Sequence, residues 1–389
     1  MKGINRGLEG NTCRAYAPPM TRLVGILTAI LLALPLRAAA EQPAEVAPEG
    51  RAAIKIGYVG SLSGFAASYG QAVLHGVQLA ALELEAAGQP VQLIVEDDLS
   101  EMKNTVTAAR KLLDVDGVQA LIAGTWWAIT LPPIMKAHPR IPLLSCETSF
   151  NRDTIAADNY FLMLGHLRDW AIAFEPLVQE QGLTRGAALH FTSGFGQTLA
   201  DAMRELFSMP GRTFAADLAY TTVDAADAPA LLLRLKTVAP EALYIDGQPA
   251  SLASMLKKAH ELRLKFTIFT NDIARDAYEQ KLLSPALTEK LYFTQRARLS
   301  QKFDSSFQKH FGKPALLESD LGYYTMLMLK RSLKEANPVE ALKSSPAVID
   351  GLTLGFDERN VLKGITQEIW RFRNGQPERL SWPATAGND

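Results

Sequence analysis

The chain is short of cysteine, of basic runs and of long apolar segments, and each shortage closes a route. Of its two cysteines, Cys13 lies in the leader described below, which leaves Cys146 alone. One thiol makes no internal disulfide, even in an oxidising compartment. The six histidines (75, 138, 166, 190, 260, 310) never pair at i, i+4, and with one cysteine they offer no metal cage. Each of them, His166 and His190 included, reads as structural. No block of Lys or Arg occurs and the formal net charge is -1, so nucleic acid and anionic membranes have no electrostatic support as partners. Two enzyme signatures are also incomplete. Gly60-Ser-Leu-Ser63-Gly64 has the wrong spacing for a hydrolase nucleophile elbow. Gly194-Phe195-Gly196 carries Leu199 where a dinucleotide loop needs its third small residue, although Asp217 stands at about the ribose-binding distance.

One apolar run is present, LVGILTAILLALPL, preceded by Arg22 and followed by Ala38-Ala39-Ala40. It is too short and too early for a stable span, and it reads as an export signal cut between Ala40 and Glu41. Met20 stands directly before it, so residues 1–19 read as a start-site error or an extended leader. Residues 41–52 form an acidic, Pro-bearing linker. No Cys follows the run, which argues against a lipid anchor. Removing 40 of 389 residues leaves enough chain for two domains with separate cores.

From Ile54 onward strands and helices alternate. IKIGYVG runs into a small-residue loop and the helix SYGQAVLHGVQLAALELEA. VQLIVE, VQALIAG, IPLLSC, GAALHFT, ALYIDG, FTIFT and KLYFTQ are short continuous apolar runs, as in strands buried on both faces of a parallel sheet. Leu74, Val77, Ala81 and Leu84 share one helix face, and so do Leu252, Met255, Leu256 and Ala259. Both stripes are core. Pro240 closes the helix LLLRLKTVA, DLGYYTMLMLKRSLKEA predicts a long helix, and QEIWRFRNG a late strand. The alternation restarts after residues 169–182, which predicts an α/β chain of two lobes. A ligand then sits at the carboxyl ends of the strands.

The order Ile56-Gly57, Leu62-Ser63-Gly64, Tyr69-Gly70, Gly76-Val77-Gln78-Leu79-Ala80, Glu96-Asp97-Asp98, Gly124 and Pro142 to Ser145 carries a resemblance. Over essentially the whole mature chain it resembles the type I periplasmic substrate-binding proteins of ABC transporters, in the branched-chain amino acid and amide branch. The resemblance implies two similar doubly wound parallel-sheet lobes joined by a three-strand hinge, with crossovers near Leu164, Gln295 and Thr353. The lobes are then 53–164 with 296–353, and 165–295 with 354–385. It also implies a periplasmic monomer without cofactor. Such a protein closes on a small amino acid-like or carboxylate ligand and docks on an inner-membrane ABC permease. A sensor feeding a membrane receptor uses the same fold and remains the alternative.

Family binding positions fall on Tyr69, on Thr148 and Ser149 (anion donors or plain helix caps), on Phe195, on Gln248 and on Asp272. Asp272 pairs with a ligand ammonium or caps the next helix, and Asp246 is a second candidate acid. Adjacent Asp97 and Asp98 read as solvated or capping acids. The departure from the family is Trp126-Trp127, where amino acid binders carry small hydroxyl residues. One indole is expected in the cleft, Trp127 as an aromatic wall with Tyr69 and Phe195, which gives weight to an aromatic acid or amide as ligand.

Overall fold

The computed structural model describes residues 54–147, 157–221 and 228–381. Five strands, β1 (Ile54–Gly60), β2 (Val91–Asp97), β3 (Ala120–Gly124), β4 (Leu143–Ser145) and β5 (Tyr160–Leu162), form an all-parallel sheet in the order β2-β1-β3-β4-β5. The next five, β6 (Arg185–Phe191), β7 (Thr213–Tyr220), β8 (Ala242–Ile245), β9 (Thr267–Thr270) and β10 (Leu291–Arg296), repeat that order as β7-β6-β8-β9-β10, again parallel. A hairpin, β11 (Ala347–Ile349) and β12 (Leu352–Leu354), belongs to neither sheet. The strands β13 (Gln367–Arg373) and β14 (Gln376–Arg379) then extend the second sheet antiparallel, beyond β10. Asn374 and Gly375 join them with φ of 52° and 73°, the paired left-handed geometry of a tight hairpin turn.

Helices cover the strands: α1 (Ala67–Ala86), α2 (Met102–Arg110) and α3 (Pro132–Ala137) in the first repeat, and α4 (Leu167–Ile172), α5 (Glu175–Glu180), α6 (Gly194–Leu206), α7 (Ala228–Val238), α8 (Pro249–Glu261) and α9 (Ile273–Glu279) in the second. Then come α10 (Gln301–Phe311), α11 (Ser319–Ser332) and α12 (Pro338–Ser344). Among the described residues no helix is long and apolar enough to cross a membrane.

Burial explains the strand sequences. All five residues of β3 and all four of β8 and β9 are buried, so no polar alternation is possible there. Each large apolar side chain removed from water contributes about 1.5–3 kcal/mol before the cost of ordering it. Five strands escaped the sequence reading, among them β11 and β12, of three residues each, and β14, of four. β5 is only three residues long, and β7, at the sheet edge, mixes half-buried and exposed positions.

The late helix α11 returns to pack on α1, beside the first sheet. The crossing is a backbone approach at two glycines. A Cβ on Gly76 would stand 1.7 Å from the Ser319 carbonyl oxygen, and one on Gly322 would stand 2.1 Å from that of Val73. Only glycine permits this separation, and it fixes the first turn of α11 beside the strand ends of the first sheet.

Candidate functional site

In both sheets the strand order reverses between the first and third strands, β1 with β3 and β6 with β8. Doubly wound sheets open their ligand crevice at the carboxyl ends on that line. In the first lobe these ends are tied by two acids. Asp98 is buried and accepts from Ser61 Oγ (2.9 Å), Thr105 Oγ1 (2.8 Å) and Ser100 N (2.9 Å). Asp97 accepts from Ser63 Oγ (2.6 Å), Leu62 N (3.0 Å) and Leu99 N (2.8 Å). Partial burial works against the Asp97 charge, but these donors outweigh it and hold the carboxyl below its ordinary range. The pair is thus a brace between two loops, not the solvated or capping acids expected.

Above this brace lies an aromatic group. The Trp126 ring is 5.3 Å from that of Tyr69 and 5.5 Å from that of Phe65, which is 61% exposed. Trp127 has another role. Its Nε1–H donates to the Ser100 carbonyl at 2.8 Å, so its donor is spent within the loop. Adjacent residues in the short 3-10 turn Trp126–Thr130 point different ways, and the indole beside Tyr69 is Trp126, not the expected Trp127.

The second lobe presents Asn271, Asp272 and Asp276 at the start of α9. Asn271 does the structural work, its Oδ1 accepting from Ile273 N (3.2 Å) and its Nδ2 donating to Asp246 Oδ1 (3.1 Å). Asp272 occupies the N-cap position yet makes no side-chain capping bond, so its carboxylate is unspent. One turn on, at the i+4 spacing that places side chains on one face, Asp276 accepts a hydrogen bond from the Tyr69 hydroxyl of α1. This contact links the two lobes directly. Burial, then the Asp276 and Asp272 charges, push the phenol far above its ordinary value, so it remains a donor.

Two further acids, absent from the sequence reading, face this point. Glu147 follows β4, is 8% exposed, and its Oε1 has no hydrogen-bond partner. Glu318 stands at the N-cap of α11, again without a side-chain capping bond. Burial is the leading cause of a raised pKa at Glu147, Asp272, Asp276 and Glu318. Glu147 also feels Glu318, Asp272 and Asp276, and Asp272 feels Asp276 and Glu318. Glu318 is pushed up to about 7. The nearby cations bond to other groups, although their charges still favour the ionised acids. Arg296 is fully buried and paired with Asp320 (Nη1 to Oδ2, 3.1 Å), while Arg275 donates to Gln295 and lies 4.5 Å over the Trp370 ring.

The remaining sequence candidates lie apart from these contacts. Phe195 packs edge-on against Trp170 at 5.9 Å and is partly buried in the core. Gln248 is exposed at the N-cap of α8 and makes no capping bond with its side chain. Asp246 is 2% exposed and bonded to Asn271, with burial raising its pKa to about 6. Thr148 and Ser149 lie outside the described residues. Cys146 is buried 3.3 Å from Thr325 Oγ1, its thiol pushed up to about 12 by burial. His190 pairs with Asp217 (3.0 Å) and His166 with Asp357 (2.7 Å).

Twin sheets with one strand order, facing loops and a side-chain bond between lobes agree with the sequence match: residues 53–377 fit the periplasmic binding protein family. The chain belongs to that family. It is a family of binding proteins and not of enzymes. The Leu/Ile/Val-binding protein BraC3 of Rhizobium johnstonii is 25% identical over 233 residues, 58% of this chain and 63% of the relative. The binding protein thus spans under two thirds of that relative's length. Among solved structures, the leucine-binding protein LivK of Thermotoga maritima superposes with a TM-score of 0.73 at 19% identity, covering 84% of this chain and 98% of its own. A solute-binding protein from R. palustris in complex with benzoate gives 0.70 at 16% identity, covering 84% and 95%. At these identities the likeness establishes the fold.

Proposed function

We propose that this chain is the solute-binding component of an ABC importer, exported to the periplasm through the leader at 1–40, capturing a small amino acid-like ligand by hinge closure. In this reading the lobes are 53–164 with 296–353 and 165–295 with 354–385. The ligand lies between Tyr69 and Trp126 on one side and Asp272 on the other, with Thr148 and Ser149 as donors to a ligand carboxylate. The closed protein docks on the permease as a monomer. The observation that carries the proposal is the hydrogen bond from Tyr69 to Asp276, because it joins the first turns of α1 and α9, one helix from each lobe, across the place a ligand would fill. Asp272 supports an ammonium-bearing ligand, since its carboxylate is not used by its own helix. Relatives named for leucine, isoleucine and valine agree with that chemistry.

The test is a thermal-shift screen of amino acids, amides and aromatic acids on the mature chain, followed by small-angle scattering with each hit. A ligand at a hundred times its Kd adds about 2.7 kcal/mol of stability. A hit that contracts the molecule and is lost in Asp272→Ala supports the reading. A ligand that the protein chemically converts, or binding without contraction, refutes it.

A further inference from the structure

The resident charge of the cleft points beyond a simple zwitterion. Four carboxylates, two from each lobe, feel one another's charge there: Glu147 after β4, Glu318 before α11, and Asp272 and Asp276 at the start of α9, beside the Tyr69 hydroxyl that Asp276 engages. Among the described residues Asp276 has a side-chain partner, the Tyr69 hydroxyl, while Asp272 and Glu318 make no side-chain capping bond. Glu147 is more than nine-tenths buried with Oε1 unpartnered, a state that costs free energy unless a proton or a cation arrives. Of the two nearby guanidinium groups, Arg296 is neutralised by Asp320, while Arg275, held by the neutral Gln295 and the Trp370 ring, offsets part of the charge at Asp276 and Asp272 and leaves the four acids in excess. One ammonium accompanied by its own carboxylate adds no net positive charge, and so leaves this excess unanswered. The rings of Tyr69, Trp126 and Phe65 stand beside it, and such faces attract cations and cover methylene stems.

We propose that the cleft is built for a polyvalent cation, a ligand with two or more positive charges shared between Glu147 and Glu318 of one lobe and Asp272 and Asp276 of the other. This rests on the cleft being the ligand site. Among the described residues no three acids or histidines converge as a metal cage. An organic diamine, with its charges separated along a chain, therefore suits acids contributed by two lobes, its stem lying on the Tyr69 and Trp126 rings. A bare divalent metal ion shares the charge chemistry and forms a second arm of the test.

The experiment is calorimetric titration of the mature chain at low salt with 1,4-diaminobutane, n-butylamine, leucine, benzoate and calcium chloride, each paired with scattering. It is repeated in Glu147→Gln and Glu318→Gln. Glu318 makes no capping bond and Glu147 Oε1 has no hydrogen-bond partner, so both variants are expected to fold, and their melting curves verify it. The diamine is expected to bind at least about tenfold more tightly than the monoamine, and each substitution to weaken it about tenfold or more. Calcium binding without diamine binding, weakened by the same substitutions, supports the polyvalent cation and assigns the metal ion as its source. Leucine or benzoate binding with contraction, while neither cation binds, overturns the charge assignment and leaves the cleft standing. Diamine binding that survives both substitutions and produces no contraction overturns both. No heat from any of the five overturns the charge assignment.

Discussion

Removing the Tyr69 hydroxyl, by Tyr69→Phe, tests whether the bond to Asp276 holds the lobes together. The phenyl ring remains against Trp126, so packing is preserved and one donor is lost. A hydrogen bond to a charged group contributes about 1.5–3 kcal/mol, and both partners here are half-buried, which places the loss near the lower end. At about 1.4 kcal/mol per decade, the closed form is disfavoured roughly tenfold relative to the open one. If closure is required for tight capture, ligand affinity falls by the same factor, mainly through faster release. Dyes placed on α1 and α9 report the closed fraction by energy transfer, and calorimetry reports affinity for the ligand selected by thermal shift. An unchanged closed fraction together with unchanged affinity would show that the contact is incidental to closure, and the mechanical argument would fail with it.

Three further perturbations bear on other parts of the argument. Gly76→Ala drives a methyl into the Ser319 carbonyl, and the clash is between backbones that cannot rotate away, so a loss of about 3 kcal/mol or more is expected in urea melts; a shift below about 0.5 kcal/mol refutes the packing at that crossing. The ligand-free protein is expected to be more stable at pH 5.5 than at pH 8. The folded pKa of Glu318, about 7 against an ordinary 4.5, means that the native state holds the extra proton and loses stability as pH rises through that window. Glu147, Asp272 and Asp276, raised in the same direction, add to the effect, while Arg296 opposes it and Asp320 reinforces it. A flat Tm across that range, or one that rises with pH, contradicts the cluster. Finally, Trp126→Ala should weaken ligand binding by at least ~1 kcal/mol, whereas Trp127→Ala should lower Tm through the lost Ser100 contact. Calorimetry and melting curves on both variants separate the roles, and the reverse pattern would return Trp127 to the cleft.

The lobed α/β architecture was legible because buried parallel strands leave unbroken apolar runs such as ALYI and TIFT, with helices of one stripe between them. β5, β11, β12 and β14 were not, being too short to leave a pattern, nor was β7, which mixes faces at a sheet edge. The site was less legible for a physical reason. Asp272 and Tyr69 were reached through a family resemblance. Glu147, Asp276 and Glu318 carry no local mark, since an acid near a helix start reads as a cap until the structure shows it capping nothing. Only the i+4 spacing of Asp272 and Asp276 offered a hint. For Trp126 and Trp127 the sequence placed an indole at the rim, but which of two neighbours turns inward is decided by the Ser100 carbonyl of a different loop, which accepts from Trp127 Nε1–H.

The glycine-to-glycine seam between α1 and α11 has a consequence for how the polypeptide matures. The partner that covers α1 is encoded more than two hundred residues downstream, so the amino-terminal half stays unfinished until nearly all of the chain has emerged. A fragment ending after β10 would keep every strand of the first sheet and still expose a greasy flank, and a helper that shields that flank during synthesis would be needed until the missing helix arrives.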